Sequence, residues 1–90
     1  MKIAVIGCGH WGPNLVRNFA SIESVDKVVA VDSNDEALSK IDKSSGKIEL
    51  KKDALKAIED SSINAIVVAT PPETHFDLAK KALEQNKHVF

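Results

Sequence analysis

Residues 3–12 read IAVIGCGHWG, and this stretch decides the fold. Its first four residues form a short apolar run rich in β-branched side chains, which is typical of a parallel strand covered by helices on both faces. Its last six, Gly7 to Gly12, have the spacing G-x-G-x-x-G. This spacing alone is a weak indication, but here it follows a strand directly and opens a helical pattern. The context predicts a dinucleotide-binding strand–turn–helix unit.

Each glycine of this motif has a separate physical task. Gly7 permits a tight turn out of the strand, and Gly12 lets the helix pack close to the sheet. Gly9 has no Cβ, so the backbone there can approach a pyrophosphate. The first helical N–H groups, near His10 and Trp11, are expected to point at that anion. Similar turns occur in folds that bind FAD, S-adenosylmethionine or no ligand, and these alternatives stay open.

Asp32 is the candidate residue for the adenine ribose. It ends the second apolar segment, twenty residues beyond Gly12, where a carboxylate can accept hydrogen bonds from the ribose hydroxyls. The same charge opposes the 2′-phosphate of NADP, since two like charges about 4 Å apart repel by roughly 4 kcal/mol at an effective dielectric near 20. We therefore predict NAD rather than NADP as the cofactor. The structural alternative is that Asp32 caps the helix that follows.

Strand-like and helix-like segments alternate along the whole chain. The strand candidates are residues 3–6, 28–31, 48–50, 65–69 and 88–90. Alternation of this kind implies a parallel sheet with helices on both faces and right-handed crossovers. We predict an α/β, doubly wound, Rossmann-like domain with five strands in the order 3-2-1-4-5.

Local signals suggest where the helices begin and end. Residues 33–36 fit a capping box that begins at Ser33. Asp53 can cap a short helix, and Asn86 can end the last helix in the left-handed conformation. The helical spacing there predicts a buried face made of Phe76, Ala79 and Leu83.

A second group of candidate residues follows the fourth strand, where residues 69–75 read ATPPETH. Ligands of open α/β sheets bind outside the carboxyl ends of the strands, at the point where the strand order reverses. Thr70 and Pro71 are therefore expected to line the path of the cofactor. His75 would lie in the first turn of the next helix, either in contact with the nicotinamide end or solvated without a role.

Two further residues of the glycine motif have less specific interpretations. Cys8 occupies a position where a small side chain fits, which favours packing over redox chemistry. Trp11 either shields the nicotinamide or packs over the start of the helix, and the sequence favours neither role.

Length and composition exclude several classes of protein. Ninety residues with 43% hydrophobic and 28% charged side chains suit one modest core, so residues 1–90 are read as a single domain. The net charge of −1 offers no basic excess for nucleic acid or an anionic membrane. One cysteine excludes an internal disulfide and the usual zinc spacings. The apolar run near the N-terminus is too short for a signal peptide or a membrane span, so we expect a cytoplasmic protein.

The chain resembles the Gfo/Idh/MocA oxidoreductases. The matching pieces are residues 3–12, 31–32, 69–75 and 82–90, and the glycine motif together with A-T-P-P-x-T-H is far more specific than either alone. Residues 11–19 look like those of members that act on sugar nucleotides. The resemblance implies an NAD(P)-binding half of an enzyme that exchanges hydride between the nicotinamide and a sugar or polyol.

The same resemblance implies functional parts that this chain does not contain. Family members carry a catalytic lysine in a Glu-Lys-Pro segment after the strand that ends here at Phe90, followed by a largely β substrate domain. We therefore expect a truncated domain that binds NAD(H) without turnover, with no catalytic residue or metal site of its own. We also expect homo-oligomers that associate through the fifth strand, because an edge strand has unpaired N–H and C=O groups. The alternatives are a stand-alone NAD(H) sensor and a Rossmann-like interaction module without a ligand.

Overall fold

A computed structural model describes residues 1–9, 11–70 and 72–90. Its elements, in chain order, are β1 (Lys2–Ile6), α1 (Gly12–Ala20), β2 (Lys27–Val31), α2 (Asp35–Ser39), β3 (Ile48–Lys51), α3 (Ala54–Glu59), β4 (Ala65–Val68), α4 (Pro72–Glu84) and β5 (His88–Val89). No helix among the described residues has the length and apolar character needed to cross a membrane.

The strands form one parallel sheet in the order β3-β2-β1-β4-β5, which confirms the predicted topology. In the register of the sheet, Ala4 of β1 lies between Val29 of β2 and Ile66 of β4. The strand order reverses between β1 and β4, so the turns that leave these two strands face each other across a crevice.

The central strand β1 is buried on both faces, which explains its uninterrupted apolar sequence. Ile3 and Val5 belong to the core layer beneath α1 and α2, whereas Ala4 and Ile6 belong to the layer on the side of α3 and α4. All four side chains are at most 3% exposed. The turn that leaves β1 therefore begins from a strand held by packing on both sides.

Two of the three predicted caps are confirmed. The carboxylate of Asp53 accepts a hydrogen bond of 3.2 Å from the backbone N–H of Lys56, in the first turn of α3. Asn86, two residues beyond the end of α4, has a φ of 60°, which is the left-handed conformation expected at the end of a helix.

The predicted capping box at Ser33 is wrong, because the N-cap of α2 is Asn34. The Asn34 side chain accepts a hydrogen bond of 2.8 Å from the backbone N–H of Glu36. The carboxylate of Asp32 in turn accepts the backbone N–H of Asn34, at 2.9 Å. This turn after β2 moves the start of the helix one residue beyond the predicted position.

The predicted buried face of α4 is also wrong. Phe76 and Leu83 are 74% and 61% exposed, whereas Ala82 is fully buried and Leu78 packs against the same core layer. The helix carries two neighbouring apolar stripes, and periodicity alone does not say which one faces the sheet. The stripe with the small Ala82 faces the sheet, which lets α4 lie close to β4 and β5.

Lys87 is buried between α4 and β5. It is 7% exposed, and its ammonium donates hydrogen bonds to the carbonyl oxygens of Asp60 and Ile63, at 2.6 and 2.7 Å. These two residues belong to the turn that leads into β4. The buried cation therefore fastens this turn to the far end of α4.

We expect Lys87→Met to lower the free energy of unfolding by about 2 kcal/mol, because two carbonyl groups lose a charged donor in a buried place. Urea denaturation followed by circular dichroism measures this change. Lys43→Met, at an exposed position, is the matched control and should change stability little. Equal stability of the two variants would contradict the structural role of Lys87.

Candidate functional site

A cleft of about 1110 Å³ opens at the carboxyl ends of the strands. Its walls come from the glycine turn after β1, the end of β2, the start of α3 and the turn between β4 and α4. Five of the sequence-predicted site residues line it together: Gly7, Gly9, Trp11, Asp32 and Thr70. The volume suits a cofactor-sized ligand. His10 and Pro71, also predicted for the site, lie outside the described residues.

Gly7 is required by the geometry of the turn. Its φ is +93°, and a Cβ added there would lie 2.8 Å from the Cγ2 atom of Thr70. Its backbone N–H also donates a hydrogen bond of 2.8 Å to the carbonyl of Val31. The turn after β1 is therefore fixed against both β2 and the turn that follows β4.

Gly9 and Gly12 differ in what surrounds them. A Cβ at Gly9 would have no atom within 4 Å, so its backbone faces open space in the cleft. A Cβ at Gly12 would lie 3.0 Å from the Cβ of Cys8 and 3.1 Å from the carbonyl oxygen of Gly7. Gly12 is buried and does not line the cleft. Its small size lets α1 pack directly on the turn.

Asp32 is held in place by two backbone groups. One carboxylate oxygen accepts the N–H of Cys8 at 2.8 Å, and the other accepts the N–H of Asn34 at 2.9 Å. Each oxygen keeps a further lone pair with which it can accept a ligand hydroxyl. The alternative that Asp32 caps α2 is wrong, because Asn34 does so.

The turn after β4 contains a small hydrogen-bonded group. The hydroxyl of Thr74 donates to that of Thr70 at 2.6 Å, and Nε2 of His75 contacts the carbonyl oxygen of Thr70. Thr70 and Thr74 line the cleft, whereas His75 does not. The His75 ring therefore contacts the backbone of the turn, and the sequence did not predict this contact.

Sequence reasoning missed the part of the cleft beside α3. Lys52, directly after β3, was not among the predicted residues, yet it lines the cleft together with Ser33 and Leu55. The signal for Lys52 was available, because residues that follow neighbouring parallel strands meet at the same edge of a sheet. The position of Leu55 depends on how α3 packs, which the sequence pattern did not specify.

Cys8 is buried beneath the turn, and its thiol lies 3.7 Å from the carbonyl oxygen of Val31. Burial raises the pKa of this thiol to about 11, and the negative charge of Asp32 contributes to the increase. A thiol with this pKa is protonated at neutral pH, which agrees with a packing role.

Trp11 is 66% exposed and lines the cleft. It is also the N-cap residue of α1, where its carbonyl accepts the N–H of Leu15 at 3.1 Å. Its backbone therefore belongs to the helix start, while most of its indole surface faces outward.

Comparison with known proteins connects this cleft to a family. Residues 1–90 match the family described as "Oxidoreductase family, NAD-binding Rossmann fold" (GFO_IDH_MocA). Inositol 2-dehydrogenase 2 of Saccharopolyspora erythraea is 33% identical over 91 residues, which cover 99% of this chain and 26% of that protein. The scyllo-inositol 2-dehydrogenase (NAD(+)) of Bacillus subtilis is 29% identical over 91 residues, which cover 100% and 27%.

Solved structures agree with the sequence comparison. The crystal structure of scyllo-inositol dehydrogenase from Lactobacillus casei with bound NAD(H) and scyllo-inositol superposes with a TM-score of 0.85 and 26% identity. The match covers 100% of this chain and 27% of that one. The chain thus spans about a quarter of the length of these relatives.

The two turn glycines give a matched pair of variants. Gly7→Ala should lower the free energy of unfolding by about 2 kcal/mol, because it adds a Cβ at positive φ against Thr70. Gly9→Ala should change the free energy of unfolding by no more than about 0.5 kcal/mol, since its Cβ enters open cleft space. The same Cβ should weaken dinucleotide binding about tenfold or more. Urea denaturation and calorimetric titration measure the two effects. Gly9→Ala with unchanged affinity would argue against a phosphate site at this turn.

The buried thiol predicts slow alkylation of the folded protein. At pH 8, a pKa of about 11 leaves roughly one Cys8 side chain in a thousand as thiolate. In an unfolded chain, where the pKa is near 8.5, about a quarter of the cysteine is thiolate. Iodoacetamide should react at least about a hundredfold more slowly with the native chain than with the chain in urea. Because the folded pKa is the higher one, the thiol also lowers stability as the pH rises from about 9 towards 11. Similar native and denatured rates would show that Cys8 is accessible.

Proposed function

This chain belongs to the GFO_IDH_MocA oxidoreductases, as their NAD-binding Rossmann fold, and we propose that its cleft holds NAD with the diphosphate at Gly9 and the adenosine ribose at Asp32. The observation that carries the proposal is the hydrogen bond from the N–H of Cys8 to Asp32. It fixes the anion-binding turn and the ribose acceptor relative to each other before any ligand arrives.

The residues of the turn fit a diphosphate. The backbone at Gly9 has open space on the side where a Cβ would stand, and α1 begins directly beyond the turn. The N-terminus of a helix presents free N–H groups and the positive end of the helix dipole. The predicted contribution of His10 belongs to this same segment and remains a prediction.

The residues at the end of β2 fit an unmodified ribose. Asp32 presents a fixed carboxylate that can accept the ribose hydroxyls and that repels a 2′-phosphate. We therefore propose NAD rather than NADP as the ligand. The crystallised relative from Lactobacillus casei, which was solved with NAD(H), supports this choice.

The turn after β4 suits the nicotinamide half of the cofactor. Thr70 and Trp11 both line the cleft, on the turns after β4 and β1. We propose that both residues and Pro71 bound the nicotinamide, and that His75 orients the carbonyl of Thr70 instead of contacting the cofactor. Bound NAD would supply the hydride acceptor or donor.

For the whole protein we propose hydride transfer between NAD and a sugar or polyol. Two of the relatives are named inositol dehydrogenases, and inositol is a cyclic polyol. This chain spans about a quarter of their length. We therefore propose that residues 1–90 bind the cofactor as one domain and do not turn over substrate by themselves.

We also propose that residues 1–90 self-associate into homo-oligomers through the edge of β5. Within the part of the chain that the structure describes, β5 pairs with β4 on one side only. Phe90, just beyond it, is 67% exposed. An edge strand with an apolar neighbour favours association with further protein surface.

Calorimetric titration of the chain with NAD⁺ and with NADP⁺ tests the cofactor proposal. We expect NAD⁺ to bind at least about tenfold more tightly than NADP⁺. Tenfold in the dissociation constant is about 1.4 kcal/mol, which is a third of the roughly 4 kcal/mol of repulsion between two like charges about 4 Å apart. Asp32→Asn should reduce this ratio because it removes the repelling charge. Asp77→Asn, which makes the same change elsewhere in the cleft, should preserve it. Equal or tighter binding of NADP⁺ to the unmodified chain would refute the proposal.

A further inference from the structure

Lys52 places a positive charge beside the proposed ribose site. The register of the sheet pairs Val31 with Lys51, so the residues that follow them, Asp32 and Lys52, emerge side by side. The backbone N–H of Asp32 donates to the carbonyl of Lys51 at 3.1 Å, which fixes this arrangement. Asp32 and Lys52 both line the cleft.

A lysine at this position is suited to bind a 2′-phosphate. Its ammonium carries three donors and a full charge, so it would offset the repulsion that Asp32 exerts on NADP. In the structure, however, Nζ of Lys52 lies 2.7 Å from a carboxylate oxygen of Asp35. The cation is thus paired with an acid that does not itself line the cleft.

We propose that Asp35 is a specificity-determining residue: by holding Lys52 in an ion pair, it weakens the attraction of this cation for the 2′-phosphate of NADP. The inference rests on the proposed function and adds a second determinant to Asp32. Asp32 discriminates by repelling the phosphate, whereas Asp35 discriminates by occupying its potential partner.

The position of Asp35 follows from the turn after β2. Asp32 accepts the N–H of Asn34, and Asn34 caps α2, so Asp35 becomes the first residue of the helix. From there its carboxylate reaches across to the end of β3. The same backbone arrangement that fixes the ribose acceptor therefore also sets the partner of Lys52.

The expected size of the effect follows from solvent exposure. The side chains of Asp35 and Lys52 are 76% and 61% exposed, so water and salt screen their attraction. Releasing Lys52 should therefore improve NADP⁺ binding relative to NAD⁺ by about two- to fivefold. The gain should shrink as the salt concentration rises.

The test is the ratio of the NADP⁺ and NAD⁺ dissociation constants in Asp35→Asn, measured by calorimetry on the full chain. Glu36→Gln is the matched control, because it removes an equal charge from the same turn of α2 without touching the ion pair. We expect the ratio to shift towards NADP⁺ in Asp35→Asn and to change less in Glu36→Gln. Equal shifts in the two variants would overturn the inference.

Repeating the test in the Lys52→Met variant separates the effect of the ion pair from the effect of the protein's overall charge. In Lys52→Met the substitution Asp35→Asn should no longer move the ratio, because no cation remains to be released. A persistent shift in that background would also overturn the inference. If the unmodified chain binds neither cofactor, the proposed function fails and the inference fails with it. If NAD⁺ binds but Asp35→Asn leaves the ratio unchanged, the inference alone is wrong.

Discussion

The contact between the carboxylate of Asp32 and the N–H of Cys8 couples two segments that are far apart in sequence. A second bond, from the N–H of Gly7 to the carbonyl of Val31, runs alongside it. Together they tie the turn after β1 to the end of β2, so the position of each depends on the other. A polar bond of this kind is effective here because the adjoining ends of both strands are buried, which keeps the backbone from moving away.

The two-sided core explains why this arrangement can be rigid in so short a chain. β1 packs under helices on both faces, and Thr70 approaches Gly7 too closely for any side chain to stand between them. Three turns, after β1, β2 and β4, are therefore fixed against one another at a single edge of the sheet. The polar cleft residues gain their geometry from apolar packing that lies directly beneath them.

The sequence predicted the sheet, its order and the five cleft residues on the turns after β1, β2 and β4 because these depend on strong local signals. Continuous apolar strands, the glycine spacing and the acid after β2 each have one dominant structural explanation. The failures arose where two similar signals compete. Ser33 and Asn34 are both good caps, and in the structure Asn34 caps α2 while its N–H donates to Asp32. On α4, two apolar stripes differ in how closely they allow the helix to approach the sheet. The ion pair of Lys52 joins the first turn of α2 to the segment that follows β3, so no local pattern could indicate it.

The location of Trp11 has a practical meaning for work with this molecule. It is the sole tryptophan, tyrosine is absent from the sequence, and Trp11 lines the cleft. Nearly all ultraviolet emission of the chain thus originates at the cleft where we propose that the cofactor binds. Since indole emission overlaps the absorption band of a reduced nicotinamide, energy transfer between the two rings would give the domain an intrinsic optical reporter that needs no label.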